Sequence, residues 1–154
     1  MWRALRASLA VASALVIGAC GDGEGGTGPS ENLNVTGTWN FSATNLTIAG
    51  APGRCSIYGR LDLTQTGSTV SGTYTFDYLS CSGPQGTTTE YGPWTGSIVD
   101  GTVSGNQIHF HFDTTDIDQH GTVSGQSMTG ACTWVASMNG TSYTMTGTWT
   151  ATRP

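Results

Sequence analysis

Four two-residue turns constrain this chain more than any other feature, because each sets the register of the strands on either side. From about Val35 onward apolar and polar residues alternate with period two, and no window keeps apolar residues at helical spacing. Val35, Gly37, Trp39 and Phe41 share one face, while Thr36, Thr38 and Asn40 take the other. Gly67-Ser68, with glycine first, carries a type II′ signature. It pairs Gln65 with Val70, Leu63 with Gly72, Leu61 with Tyr74 and Gly59 with Phe76. Gly105-Asn106 pairs Val103 with Ile108 and Gly101 with Phe110, and Gly125-Gln126 pairs Val123 with Met128 and Gly121 with Gly130. Asn139-Gly140, a type I′ signal, pairs Trp134 with Met145, Cys132 with Gly147 and Gly130 with Trp149. Every turn brings inward faces together, whereas a one-residue slip would invert a face.

The pattern predicts eight strands, at about 35–44, 55–65, 69–80, 90–103, 107–114, 118–124, 127–136 and 142–152. A bulge at Asp100-Gly101 would carry the inward parity from Ile98 to Gly101. Sequential antiparallel strands with short connections imply an all-β fold, an eight-stranded up-and-down meander barrel. A β-sandwich is the alternative, since hairpins alone do not prove closure. Gly101-Thr102-Val103-Ser104-Gly105 recurs as Gly121-Thr122-Val123-Ser124-Gly125, which reads as repeated hairpin chemistry.

The inward positions carry Trp39, Leu61, Leu63, Tyr74, Phe76, Trp94, Phe110, Phe112, Met128, Trp134, Met145 and Trp149. A barrel of this size is either filled by its side chains or holds one small ligand. In the second case Trp39, Tyr74, Phe76, Trp94, Phe110, Phe112, Trp134 and Trp149 would form the walls. The inward glycines, among them Gly59, Gly72, Gly121, Gly130 and Gly147, either relieve crowding around the tryptophans or leave space. Gln65 and Gln119 also point inward and need partners if buried.

Cys55 falls opposite Ser80, one residue from Cys81, so a small bulge would allow a Cys55–Cys81 disulfide. Such a bond would stabilise by about 2–4 kcal/mol. Cys132 faces Gly147 and is expected to be a buried free thiol.

His109-Phe110-His111-Phe112-Asp113 puts two imidazoles and a carboxylate on one outward face. A turn centred on Thr115-Asp116 would pair His111 with His120 and Asp113 with Asp118. Opposed carboxylates destabilise a sheet, so either that register is wrong or a cation sits there. A divalent metal on His111, His120, Asp113 and Asp118 is one reading, and a solvated hairpin face is the other. No nucleophile elbow, phosphate loop or His-Glu-x-x-His motif is present, and no cofactor is implied.

The N-terminus has its own organisation. Arg3 and Arg6 precede an apolar stretch from Leu5 to Ile17, too short for the roughly 20 residues that a spanning helix needs. It ends in Ile17-Gly18-Ala19-Cys20, which resembles the lipobox of bacterial lipoproteins, in which the cysteine is lipidated and begins the mature chain. The resemblance implies a signal peptide at 1–19, a lipidated Cys20 with a glycine-rich tether at 20–33, and a barrel domain at 34–154. It also implies a lipid-anchored cell-envelope location, and Gly21 after the cysteine favours the outer membrane. An ordinary cleaved signal is the alternative. Beyond residue 19 the chain keeps three arginines, no lysine and ten acidic residues, a formal charge of −7. That balance argues against nucleic acid and anionic headgroups as partners.

Gly37-Thr38-Trp39 on the first strand, with Arg153 just past the last, resembles the calycin pattern of lipocalins, fatty-acid-binding proteins and avidins. In that group the arginine packs over the tryptophan and plugs one barrel end. Ser71-Gly72-Thr73-Tyr74 and Trp149-Thr150-Ala151-Thr152-Arg153 resemble avidin segments. The avidin biotin-binding asparagine, two residues after the tryptophan, is Phe41 here, so the resemblance implies the barrel and Tyr74 as a pocket residue but not biotin. The expectation is a non-catalytic envelope protein that binds a small, largely apolar ligand. The alternatives are a filled barrel that contacts another envelope protein, and a surface metal binder.

Overall fold

The structure, a computed structural model, describes residues 33–50, 52–113, 116–138 and 141–154. The expected signal segment, Cys20, the tether through Ser30 and the Asn139-Gly140 turn lie outside these residues. The elements are β1 (Gly37–Ile48), β2 (Arg54–Thr66), β3 (Thr69–Gly83), β4 (Gly86–Ser104), β5 (Gln107–Phe112), β6 (Asp116–Ser124), β7 (Ser127–Met138) and β8 (Thr141–Thr152). Each strand pairs with the next, and β1 also pairs with β8, so the sheet is a closed up-and-down barrel and not a sandwich.

The turns act as their sequences require. Gly67, Gly105 and Gly125 have φ of 62°, 58° and 57°, the left-handed first position of a type II′ turn. The pairs expected around Gly67-Ser68 and Gly125-Gln126 form, as do those flanking residues 139 and 140. Asp100 adopts φ 52°, and Phe110 stands opposite both Asp100 and Gly101, between the Val99–His111 and Thr102–His109 pairs. This two-against-one arrangement is the expected bulge, and it replaces a simple Gly101–Phe110 pair. A second bulge has no clear signal in the sequence: Asn45, at φ 54°, shifts both ladders of β1 and turns Leu46 inward. A third, at Asp77, sets Cys55 opposite Cys81, and the two form a disulfide.

Two expectations need correction. β5 ends at Phe112, because Asp113 leaves the ladder. Its N–H donates to the Ser97 carbonyl at 3.0 Å, and the Ser97 N–H donates to Asp113 Oδ1 at 2.8 Å. The β5–β6 register also differs: His109 faces His120 and His111 faces Asp118, so Asp113 and Asp118 are not opposed. The shift is two residues, which leaves Phe110, Phe112, Ile117 and Gln119 inward. Hydrophobic patterning resists a one-residue slip but is blind to a two-residue one.

The hairpins at Gly67, Gly105 and Gly125 gather at one end, where the chain also enters the barrel, and this end is closed. Arg153 lies over Trp39, its Cζ 4.6 Å from the ring centroid, and its Nη2 donates to the Asn34 carbonyl at 2.7 Å. Trp39 is fully buried and donates from Nε1 to the Val35 carbonyl. Gln65 sits at this rim, accepting from the Val35 N–H and donating to the Gly67 carbonyl. Above the plug Phe41, Tyr74, Phe76, Phe110, Phe112 and Trp149 form one ring network with centroids 4.6–6.0 Å apart. Each such contact adds about 0.5–1.5 kcal/mol beyond its buried area.

The inward glycines are answered here. A Cβ on Gly121 would stand 2.6 Å from Trp149 Cζ2, and one on Gly130 would stand 2.7 Å from Trp149 Nε1. These two glycines make a slot for an indole. Its Nε1 donates to the carbonyls of Ala131 and His120, at 3.1 and 3.2 Å. Cys132 is a buried free thiol opposite Gly147, and burial pushes its pKa up. Gly121→Ala should therefore overpack the slot and destabilise the barrel by about 1–3 kcal/mol, read as a lower urea midpoint at unchanged slope. An unchanged midpoint would show that both Trp149 and the neighbouring backbone at Thr129 can give way.

Candidate functional site

Among the described residues, the end opposite the arginine plug is not filled. A cavity of about 300 Å³ opens there, lined by Ile57, Tyr74, Phe76, Leu79, Glu90, Trp94, Ile117 and Trp134. Strand alternation, reset on β3 by the bulge at Asp77, turns these side chains toward the axis, and the Tyr74–Phe76 ring pair lies against the packed interior. Trp94 is at the rim, 39% exposed, and Trp134 is half-buried. Among the described lining residues, Glu90 supplies the one charge. Four of these residues, Ile57, Phe76, Ile117 and Trp134, also border a deeper void of about 10 Å³ that reaches Phe112, Gln119 and Cys132. Gln119 is 1% exposed, and its Oε1 has no hydrogen-bond partner. A buried amide oxygen without a partner is costly, and it marks a place for a water or a ligand donor.

Of the eight aromatic residues expected as walls, the structure brings Tyr74, Phe76, Trp94 and Trp134 to the cavity and Phe112 to the void beneath it. Trp39, Phe110 and Trp149 are instead buried in the packed part of the barrel. Ile57, Leu79, Glu90 and Ile117 join the lining without having been singled out in the sequence. Glu90 already lies within the expected fourth strand, and its pairing with Leu79 sets it beside the cavity. A wider groove of about 420 Å³ runs past the Cys55–Cys81 bond between Pro52 and the Gly83–Gly86 hairpin, with Arg54 as the one charged residue among the described lining.

The outward face of β5 and β6 carries the second grouping. Asp118 accepts from both sides: Oδ1 lies 2.7 Å from His109 Nε2 and Oδ2 lies 2.8 Å from His120 Nε2. His111 Nε2 is 3.7 Å from the same Oδ1. The His109 and His120 rings stack at 4.3 Å, and the His111 ring stands edge-on to His109 at 4.8 Å. Of the expected set His111, His120, Asp113 and Asp118, Asp113 is therefore elsewhere, and His109 takes a central position. Only the register could have revealed this, and the unfavourable Asp113–Asp118 pairing was its warning. Burial pushes the Asp118 carboxyl up, but hydrogen bonds from His120 and His109, together with their positive charge when protonated, outweigh it and hold the pKa below its ordinary value. No protein-family model matches this chain, and no curated protein matches it.

A carboxyl with a depressed pKa stabilises the fold where it is ionised. Its contribution is present above the ordinary value near 3.8 and is lost as pH falls through the lower folded value. Wild type should thus exceed Asp118→Asn in urea midpoint at about pH 5, with the gap closing toward about pH 2. A gap that stays constant over that range would show that the His–Asp contacts contribute nothing ionic.

Proposed function

We propose that this chain is a lipid-anchored cell-envelope protein that binds a small, largely apolar molecule at the open end of its barrel, without catalysis. The observation that carries the reading is the aromatic-walled cavity of about 300 Å³ with an unpartnered amide oxygen, Gln119 Oε1, beneath its inner end. That volume is at the small end of ligand sites, so the occupant would be compact. Tyr74, Trp94 and Trp134 would supply flat apolar contact, and a donor on the ligand, or a water carried with it, would satisfy Gln119. The arginine over Trp39 supports a calycin-like reading of the closed end, and the lipobox-like Ile17-Gly18-Ala19-Cys20 supports the anchor. The packed ring network favours a second reading in which the barrel is a rigid interaction module for another envelope protein.

Native mass spectrometry of the full chain, extracted from membranes in mild detergent, separates the two. The binding reading expects a non-covalent organic adduct that Trp134→Ala weakens while the fold is retained. Trp39→Ala should instead lower stability, by about 3–5 kcal/mol. A bare mass, together with no thermal shift from a panel of small aromatic and aliphatic alcohols, would favour the interaction module. For the anchor, radiolabelled palmitate should be incorporated into wild type and not into Cys20→Ser. Equal labelling of the two would refute lipidation at that residue.

A further inference from the structure

The outward face of β5 and β6 has chemistry that the barrel mouth does not use. We propose that His109, His120 and Asp118 form a site for a divalent transition metal, with His111 beside them as an auxiliary donor. His109 and His120 are direct cross-strand partners, and Asp118 lies two residues from His120 on the same face. One ligand atom from each of the three falls within 4.8 Å of the others, the one such grouping among the described residues. The imidazole nitrogens that approach the carboxylate are Nε2 in every case, so the donors converge.

The geometry is close to what a metal needs. Tetrahedral coordination with bonds of about 2.0–2.1 Å places donor atoms about 3.3 Å apart. The two His–Asp separations of 2.7 and 2.8 Å would open by about half an ångström, and the imidazole pair, within 4.8 Å, would draw toward the same spacing, changes within the reach of side-chain rotations. Paired strands hold the Cβ positions, which makes the site largely preorganised. Two or three imidazoles with one carboxylate form a borderline nitrogen–oxygen set, which suits Cu²⁺, Zn²⁺ or Ni²⁺ and not Ca²⁺ or Mg²⁺. The flanking ladder partners Val99, Thr102, Ala131 and Thr133 bear no charge, so no side-chain cation on the neighbouring strands competes for Asp118. Three protein ligands leave a coordination position open to water or to an external donor.

The test is titration of the full, untagged chain, stripped with chelator and held in detergent, with Zn²⁺ alone and with Cu²⁺ alone. One equivalent should bind and raise the thermal midpoint. His109→Ala, Asp118→Ala and His120→Ala should each weaken binding at least about tenfold, and His111→Ala by less. Cu²⁺ electron paramagnetic resonance should show imidazole nitrogen coupling that loses a nitrogen in His120→Ala. His120 is two-thirds exposed, so that variant should keep the wild-type circular dichroism and report on the ligand alone. Absence of one-to-one binding, or undiminished binding in a folded His120→Ala, would overturn the proposal. Loss in His111→Ala with retention in His109→Ala would overturn the ligand set.

Discussion

The ladder between β1 and β8 turns a chain of hairpins into an enclosed volume. Phe41 meets Ala151 and Ala43 meets Trp149 across that seam, so the first and last strands complete one wall. Without it each hairpin would keep its register but expose an apolar face and two open edges. The residues just outside the seam secure it from below: Arg153 follows β8, covers Trp39 near the start of β1, and bonds the incoming chain at Asn34. Sequence ends that are far apart are thus joined by strand pairing, a cation–π contact and a hydrogen bond within a few residues.

Closure leaves the question of how the interior is shared between packing and space. Aromatic side chains fill the half of the barrel next to the arginine, and glycine is used there for fit, as Gly121 and Gly130 are around Trp149. Toward the other end the lining side chains no longer meet across the axis, and the cavity appears. Strand β6 borders both candidate sites. Ile117 and Gln119 face the interior, while Asp118 and His120 face outward. Period-two geometry places an amide beneath the cavity and a carboxylate on the outer surface one residue apart.

Most of the fold was legible because turn chemistry and alternation restate each other. Gly67-Ser68 and Gly125-Gln126 set pairings that the inward faces of Leu61, Leu63, Tyr74 and Met128 independently require. The Cys55–Cys81 bond followed from the same register plus one bulge. What was not legible had no local code. The β5–β6 connection lacks a glycine turn, and a two-residue shift costs no burial, so His109 could not be told from His111 as the partner of His120. Whether the barrel was filled depended on how deep each ring reaches. Strand parity is the same for Trp134 at the cavity and for Trp149 in the core.

The way the chain enters the barrel has a topological consequence. Leu33 to Gly37 leads into β1 at the end capped by Arg153, while Trp94 and Trp134 stand at the opposite end. An acyl group on Cys20 would therefore hold the molecule by its sealed base. The aperture lies at the end farthest from that attachment, which would leave it open to the aqueous compartment. Such a protein would sample dissolved solutes at a distance from the membrane surface limited by its tether, and its acidic exterior would work against adhesion to anionic headgroups.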